Sequence, residues 1–165
     1  MDEQQDALPG GKFSGRESFR QLVRDGLQRA ATEGWREIFL VDATFEDWPL
    51  GERAVAQSLQ DWSETGRRCT LLAWRYDDVI RRHARFVTWR KTWSHIIEAR
   101  ACPSADALGF PSAIWSPTWV MERRDLARSI GYSGPEPDRR LALRESLNEW
   151  LARSTPGFAA VTLGL

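Results

Sequence analysis

Cysteine, histidine and lysine are nearly absent from this chain of 165 residues, which holds two of each. Cys69 and Cys102 cannot build a disulfide framework, and so low a count suits a reducing compartment. With His83 and His95 they are scattered between positions 69 and 102, in neither C-x2-C nor H-E-x-x-H spacing. No metal site is expected from such a set; buried thiols and internally bonded histidines are. A Walker loop, a G-x-G-x-x-G turn and a G-x-S-x-G elbow are all missing, so no cofactor is implied and no nucleophile is signalled. No apolar run approaches the roughly 20 residues of a membrane span. The opening MDEQQDALPGG has no apolar stretch that would serve as a secretory signal. A cytoplasmic protein without a membrane partner is the expectation. Net charge is lacking too: 23 basic and 23 acidic side chains balance. No global field favours nucleic acid, which is not an expected partner on that ground.

What the chain does have is arginine and tryptophan. Lys12 and Lys91 apart, every basic residue is arginine, and there are nine tryptophans. Tryptophan buries a large area but needs a partner for its N–H, so it anchors cores and interfaces.

Residues 1–12 read as a disordered lead-in and 13–165 as one domain. The glycine-rich run Gly10 to Gly15 reads as a linker, because no strand precedes it. Ser14 and Glu17 stand in capping-box spacing at the start of a first helix. Its apolar face is Phe19, Leu22, Val23, Leu27, Ala30 and Ala31, and Gly34 ends it. Ile38 to Val41 is an unbroken apolar run ending at Asp42, as in a strand covered on both faces. A second helix carries Val55, Leu59 and Trp62, and Thr70 to Trp74 forms a second buried strand. Asp77 and Asp78 open a third helix, with Val79, Ile80, Phe86, Val87 and Trp93 on one arc. A third strand begins at His95, one or two more fit between Ala113 and Met121, and Phe158 to Leu163 is a candidate closing strand. Pro137 stands near the start of a last helix with Leu143, Leu147, Trp150 and Leu151 inward. Alternating strands and helices at this spacing predict a single α/β domain with a largely parallel central sheet flanked by helices.

The order of elements from Phe19 to Arg68, with IFLVDATFEDWPLG between two helices and TLLAW after, resembles the opening of a phospholipase D-like domain. NEWLARSTPG is similar to the last helix of such domains, and small proteobacterial proteins of this type look most alike. Active members carry H-x-K-x4-D, in which histidine attacks phosphorus and lysine stabilises the phosphoryl oxygens. Here His83 is followed two residues on by Arg85 and His95 by Ile97, so that motif is absent and no catalytic residue is inherited. The resemblance therefore implies a non-catalytic binding or interaction module of phospholipase D-like topology. Because such domains often pair, it also implies a homodimer or a protein partner, with surplus tryptophans as anchors.

Ligands of open α/β sheets bind beyond the carboxyl ends of the strands, which selects Asp42 and Thr44, Arg75 and Tyr76, and Arg100. Trp115 and Trp119 are candidates for lining the same edge. Arg90 shares its arc with His83 and must snorkel, pair with a carboxylate such as Asp42, or meet an anionic small ligand. A rebuilt phosphoester site from His95, Arg90, Arg75 and Asp42 is one alternative function. The other is a single-stranded nucleic-acid binder: residues 75–100 hold seven Lys or Arg against three acids, interleaved with Phe86, Trp89 and Trp93.

Overall fold

The computed structural model describes residue 8 and residues 10–160. Its strands are β1 (Gly11–Phe13), β2 (Glu37–Asp42), β3 (Arg68–Ala73), β4 (Ile97–Ala101), β5 (Ala113–Trp115), β6 (Val120–Asp125), β7 (Ile130–Gly134) and β8 (Thr155–Pro156). The helices are α1 (Arg16–Glu33), α2 (Arg53–Ser63), α3 (Asp77–Arg82), α4 (Ala84–Thr92) and α5 (Pro137–Ala152). All eight strands form one sheet in the order β1-β7-β6-β5-β2-β3-β4-β8.

A largely parallel sheet is not what forms. Only β2–β3 and β3–β4 pair in parallel; the other five pairings are antiparallel. Connection length is the cause. Helical crossovers α2 and α3–α4 return the chain to the same end of the sheet to start β3 and β4 parallel to β2, whereas β5, β6 and β7 are joined by turns of a few residues, which permit only antiparallel neighbours.

Alternate residues of each strand face two different layers. Ile38 and Leu40 of β2, with Leu71 and Ala73 of β3, join α1, α2 and α4 in the larger core. Phe39, Val41 and Leu72 face the other way, against Leu143 and Leu147 of α5. Unbroken apolar runs in β2 and β3 follow from this two-sided burial. Six of the nine tryptophans are buried and Trp74, Trp93 and Trp150 are half-buried, so the surplus fills the interior rather than forming an exposed anchor patch.

Local signals were used differently from expectation in three places. Ser14 does not cap α1; Gly15 does, at φ 104°, with its N–H directed at the carbonyls of Arg128 and Ser129 in the β6–β7 turn. Gly11 and Lys12, read as lead-in, belong to a strand, with Lys12 opposite Tyr132. The third helix breaks at His83 (φ −122°, ψ 63°), which resets the helical phase: Val79, Phe86, Trp89 and Arg90 turn inward, and Ile80 is left exposed. Gly34 terminates α1 in the left-handed conformation, as its position implies. Of the candidate closing strand, residues 158–160 are not strand and 161–163 lie outside the described residues. Among the described residues no helix is long and apolar enough to cross a membrane.

Gly131 is where β7 passes closest to its neighbours. A Cβ there would run into the Glu122 carbonyl oxygen, and would lie 2.7 Å from the Phe13 ring and 2.8 Å from Arg123 Cα. Gly131→Ala should therefore cost about 3 kcal/mol, the upper end for overpacking a tight site. A urea midpoint unchanged from wild type would show that β6 and β7 separate freely.

Candidate functional site

Asp42 stands at the carboxyl end of β2, where the open-sheet rule puts a ligand, but that place is already filled. Its Oδ2 accepts the N–H groups of Thr44 (3.2 Å) and Phe45 (2.8 Å), and its Oδ1 accepts Arg123 Nη2–H at 3.0 Å. Arg123 projects from β6 and is buried. Its Nη1 donates to Asp47 Oδ2 (2.6 Å) and Ser129 Oγ (3.3 Å), its Nη2 also to Asp47 Oδ1 (3.2 Å), and its Nε to Ser112 Oγ (3.2 Å). These contacts match the five N–H donors of a guanidinium. The Phe19 ring lies 3.9 Å from its central carbon. Burial works against the charge, but the Asp47 and Asp42 contacts outweigh it and hold the Arg123 pKa above its usual value. With every donor engaged, this cluster is a clamp rather than an anion site.

The clamp holds a strained loop. Phe45 adopts φ 59°, a conformation that costs a non-glycine residue of order 1 kcal/mol or more. Its N–H is fixed by Asp42, its ring packs edge-on to Trp48 at 4.8 Å, and its carbonyl accepts His83 Nε2–H at 2.8 Å. His83 Nδ1 is buried without a hydrogen-bond partner among the described residues. Burial pushes the His83 pKa below its usual value. The Phe45 carbonyl and Asp78 oppose this, and Arg82 and Arg20 add to it.

The remaining candidates are dispersed. Arg90 is buried on α4 with no carboxylate partner among the described residues; Nε donates to the Phe158 carbonyl (3.0 Å) and Nη1 to that of Ile97 (3.3 Å). Arg100 points to the α5 side and holds Ser154 through its Oγ (2.9 Å) and carbonyl (2.7 Å). Arg75 is exposed and stacked 4.5 Å from the Trp74 ring. Trp115 faces α5, donating to the Arg140 carbonyl, with Arg144 against its ring. His95 is exposed before β4, at the opposite end of the parallel strands from Asp42 and Arg75. Strand length alone, at about 3.3 Å per residue, keeps it some 16 Å away. His95, Arg90, Arg75 and Asp42 do not converge on one substrate. No group of three or more potential metal ligands occurs among the described residues.

Sequence reasoning missed Arg123, because it stands beside Arg124 in the charged run ERRD, which looks like surface. The α3–α4 stretch was legible by charge but not by orientation. Phe86 and Trp89 are in the core, so they offer no face to a base. Arg81, Arg82, Arg85 and Lys91 are exposed. Arg81 and Arg82 lie 2.7 and 3.8 Å from Asp78, and Arg85 donates to the Gly51 carbonyl (2.8 Å).

No family model matches the chain, and no curated protein matches it in sequence. Its fold is similar to the solved structure of TrmBL2, an archaeal chromatin protein with a novel mode of DNA binding. The TM-score is 0.65 at 15% identity, over 90% of this chain and 54% of that one. The chain thus spans about half the length of that protein. The resemblance to phospholipase D-like domains is corrected by the same result: the matching fold is that of a chromatin protein, and the sheet is mostly antiparallel. The homodimer implied by that resemblance loses its basis with it. Setting nucleic acid aside as a partner is corrected as well, since a protein of this fold binds DNA.

Two measurements test the clamp and the loop. Arg123→Met should cost about 3–5 kcal/mol by urea denaturation, because it strands the buried Asp42 carboxylate. Asp42→Asn added to that variant should cost far less than it does alone; additive losses would refute the coupling. The unfolded chain protonates His83 near pH 6.5, above its folded value, so the stability tied to neutral His83 is complete above that pH and lost as pH falls below it. His83→Gln should flatten the fall in Tm between pH 7 and pH 5; an unaltered slope would exonerate His83.

Proposed function

We propose that this domain binds nucleic acid, with the outer face of α3 and α4 making backbone phosphate contacts. The observation that carries the reading is local: Arg81, Arg82, Arg85 and Lys91 are exposed, against Asp77 and Asp78 in the same stretch. Arg85 and Lys91 have no carboxylate partner among the described residues. The pairs that Asp78 makes are solvent-exposed at their arginine ends and worth at most about 1 kcal/mol, so a phosphate competes readily for those arginines. The DNA-binding protein of similar fold supports the choice of ligand class.

The mode differs from single-strand recognition by stacking. With Phe86 and Trp89 in the core, the face offers cations without aromatic platforms. Contacts of that kind fix position along a backbone and carry no sequence information. Binding should therefore be similar for duplexes of unrelated sequence.

Fluorescence anisotropy with a labelled DNA duplex gives the test. About four phosphate contacts predict that log K falls with log[salt] at a slope of roughly −3 to −4. Arg85→Glu with Lys91→Glu should weaken binding at least tenfold at low salt and flatten the slope by about two. Both side chains are exposed, so Tm should hold. Absence of binding at low salt would refute the proposal.

A further inference from the structure

A second cationic surface lies on the opposite face of the sheet, where α5 stops short of β1 and β7. Strand register assembles it. Lys12 is directly opposite Tyr132, and Tyr132 is directly opposite Glu122. Cross-strand partners share a face, so these three side chains stand abreast. Their sequence neighbours Phe13, Gly131 and Arg123 face the larger core. Arg124 sits in the irregularity of β6 between Arg123 and Asp125, and Arg139 reaches across from the first turn of α5 to lie 3.5 Å from the Tyr132 ring.

Between them runs a groove of about 420 Å³ whose lining carries Lys12, Arg124 and Arg139 against one carboxylate, Asp125. Asp125 is partly engaged, since its Oδ1 accepts the Arg128 N–H. Glu122 takes up Arg124 at 3.3 Å, an exposed pair, while Lys12 and Arg139 have no carboxylate ion pair among the described residues. Glu136, the other acid nearby, accepts the Tyr132 hydroxyl at 2.5 Å. That bond fixes the ring on which the Arg139 guanidinium rests. The volume falls within the range of small-molecule sites, and its floor of Ile130, Gly131 and Tyr132 is rigid sheet.

We infer that this groove binds a phosphorylated small molecule of nucleotide size, with its phosphoryl oxygens held between Lys12, Arg124 and Arg139. Phosphoryl oxygens supply the negative charge that three lining cations against one carboxylate favour, and they compete readily with Glu122 for Arg124 because that pair is exposed. A guanidinium fork suits phosphoryl oxygens in bidentate geometry, and lysine serves them as a point charge. This site stands independently of the α3–α4 face.

Isothermal titration of the full chain with ADP, inorganic pyrophosphate and adenosine tests it. ADP and pyrophosphate should both bind, adenosine should not, and Lys12→Ala with Arg139→Ala should weaken ADP at least tenfold. Both side chains are exposed, so thermal melts should stay those of the wild type. Arg85→Glu with Lys91→Glu should leave ADP affinity unchanged while weakening DNA, which separates this site from the nucleic-acid face. No heat from ADP or pyrophosphate at low salt would overturn the inference. So would binding that survives Lys12→Ala with Arg139→Ala, or adenosine binding without pyrophosphate.

Discussion

Arg123 reaches from β6 across the sheet to the end of β2, and five stretches of chain depend on where its guanidinium lies. Asp42 closes β2, Asp47 belongs to the loop after it, Ser112 precedes β5, Ser129 sits in the β6–β7 turn, and Phe19 is the first apolar side chain of α1. Such a group is costly to bury, and mutual attraction repays the cost only when every donor and lone pair is matched. Lysine would fail here despite its charge, since three donors on one nitrogen cannot reach partners arranged around a plane. The clamp also joins the two halves of the sheet. β2, β3 and β4 are built by helical crossovers, β5, β6 and β7 by short turns, and Asp42 with Arg123 binds one group to the other across β5.

Fixing that corner decides where chemistry can and cannot occur. In an open α/β sheet the crevice beyond the carboxyl ends of the strands is the usual ligand site. In this chain the β2 part of it is occupied by the protein's own side chains, with Phe45 forced into a left-handed turn and Trp48 and Leu50 buried beneath. His83 completes the closure from the helical side through the Phe45 carbonyl, at the cost of a buried, unpartnered Nδ1. Charges able to meet a partner lie instead on the outward sides of α3 and α4 and around Tyr132.

Unbroken apolar segments were the legible part of the fold. β2 and β3 announce themselves because both faces are covered, and α1 ends at Gly34 because a left-handed residue is needed there. β7, with the sequence IGYSG, carries almost no apolar signal. One side of it must admit Phe13 and the Glu122 carbonyl at Gly131, and the other side is the floor of a groove. β6 is obscured by its own function in the fold: an arginine in a strand reads as surface until the carboxylates that neutralise it are found 76 and 81 residues away. α3–α4 misled for a different reason. A single helical phase was drawn through His83, and the break there carries Trp89 inward and Ile80 outward.

Zero net charge excludes less than it first suggests. At physiological ionic strength the Debye length is about 8 Å, so a phosphate responds to the charges of the patch it touches and hardly to the remainder of the chain. β7 and β4 are separated by five strand spacings, about 24 Å at 4.8 Å each, and the Tyr132 groove and the α3–α4 face lie on opposite sides of the sheet. Each excess of cations therefore acts on its own side of the sheet, balanced only by the acids beside it. Neutrality governs the other regime. Near 0.01 M salt the screening length grows to about 30 Å, and an approaching polyanion then sees the whole balanced chain. Long-range steering is lost at that distance while contact attraction remains. Under the proposed reading, a neutral domain would gain its affinity from the lifetime of phosphate contacts once formed, and little from the rate of encounter.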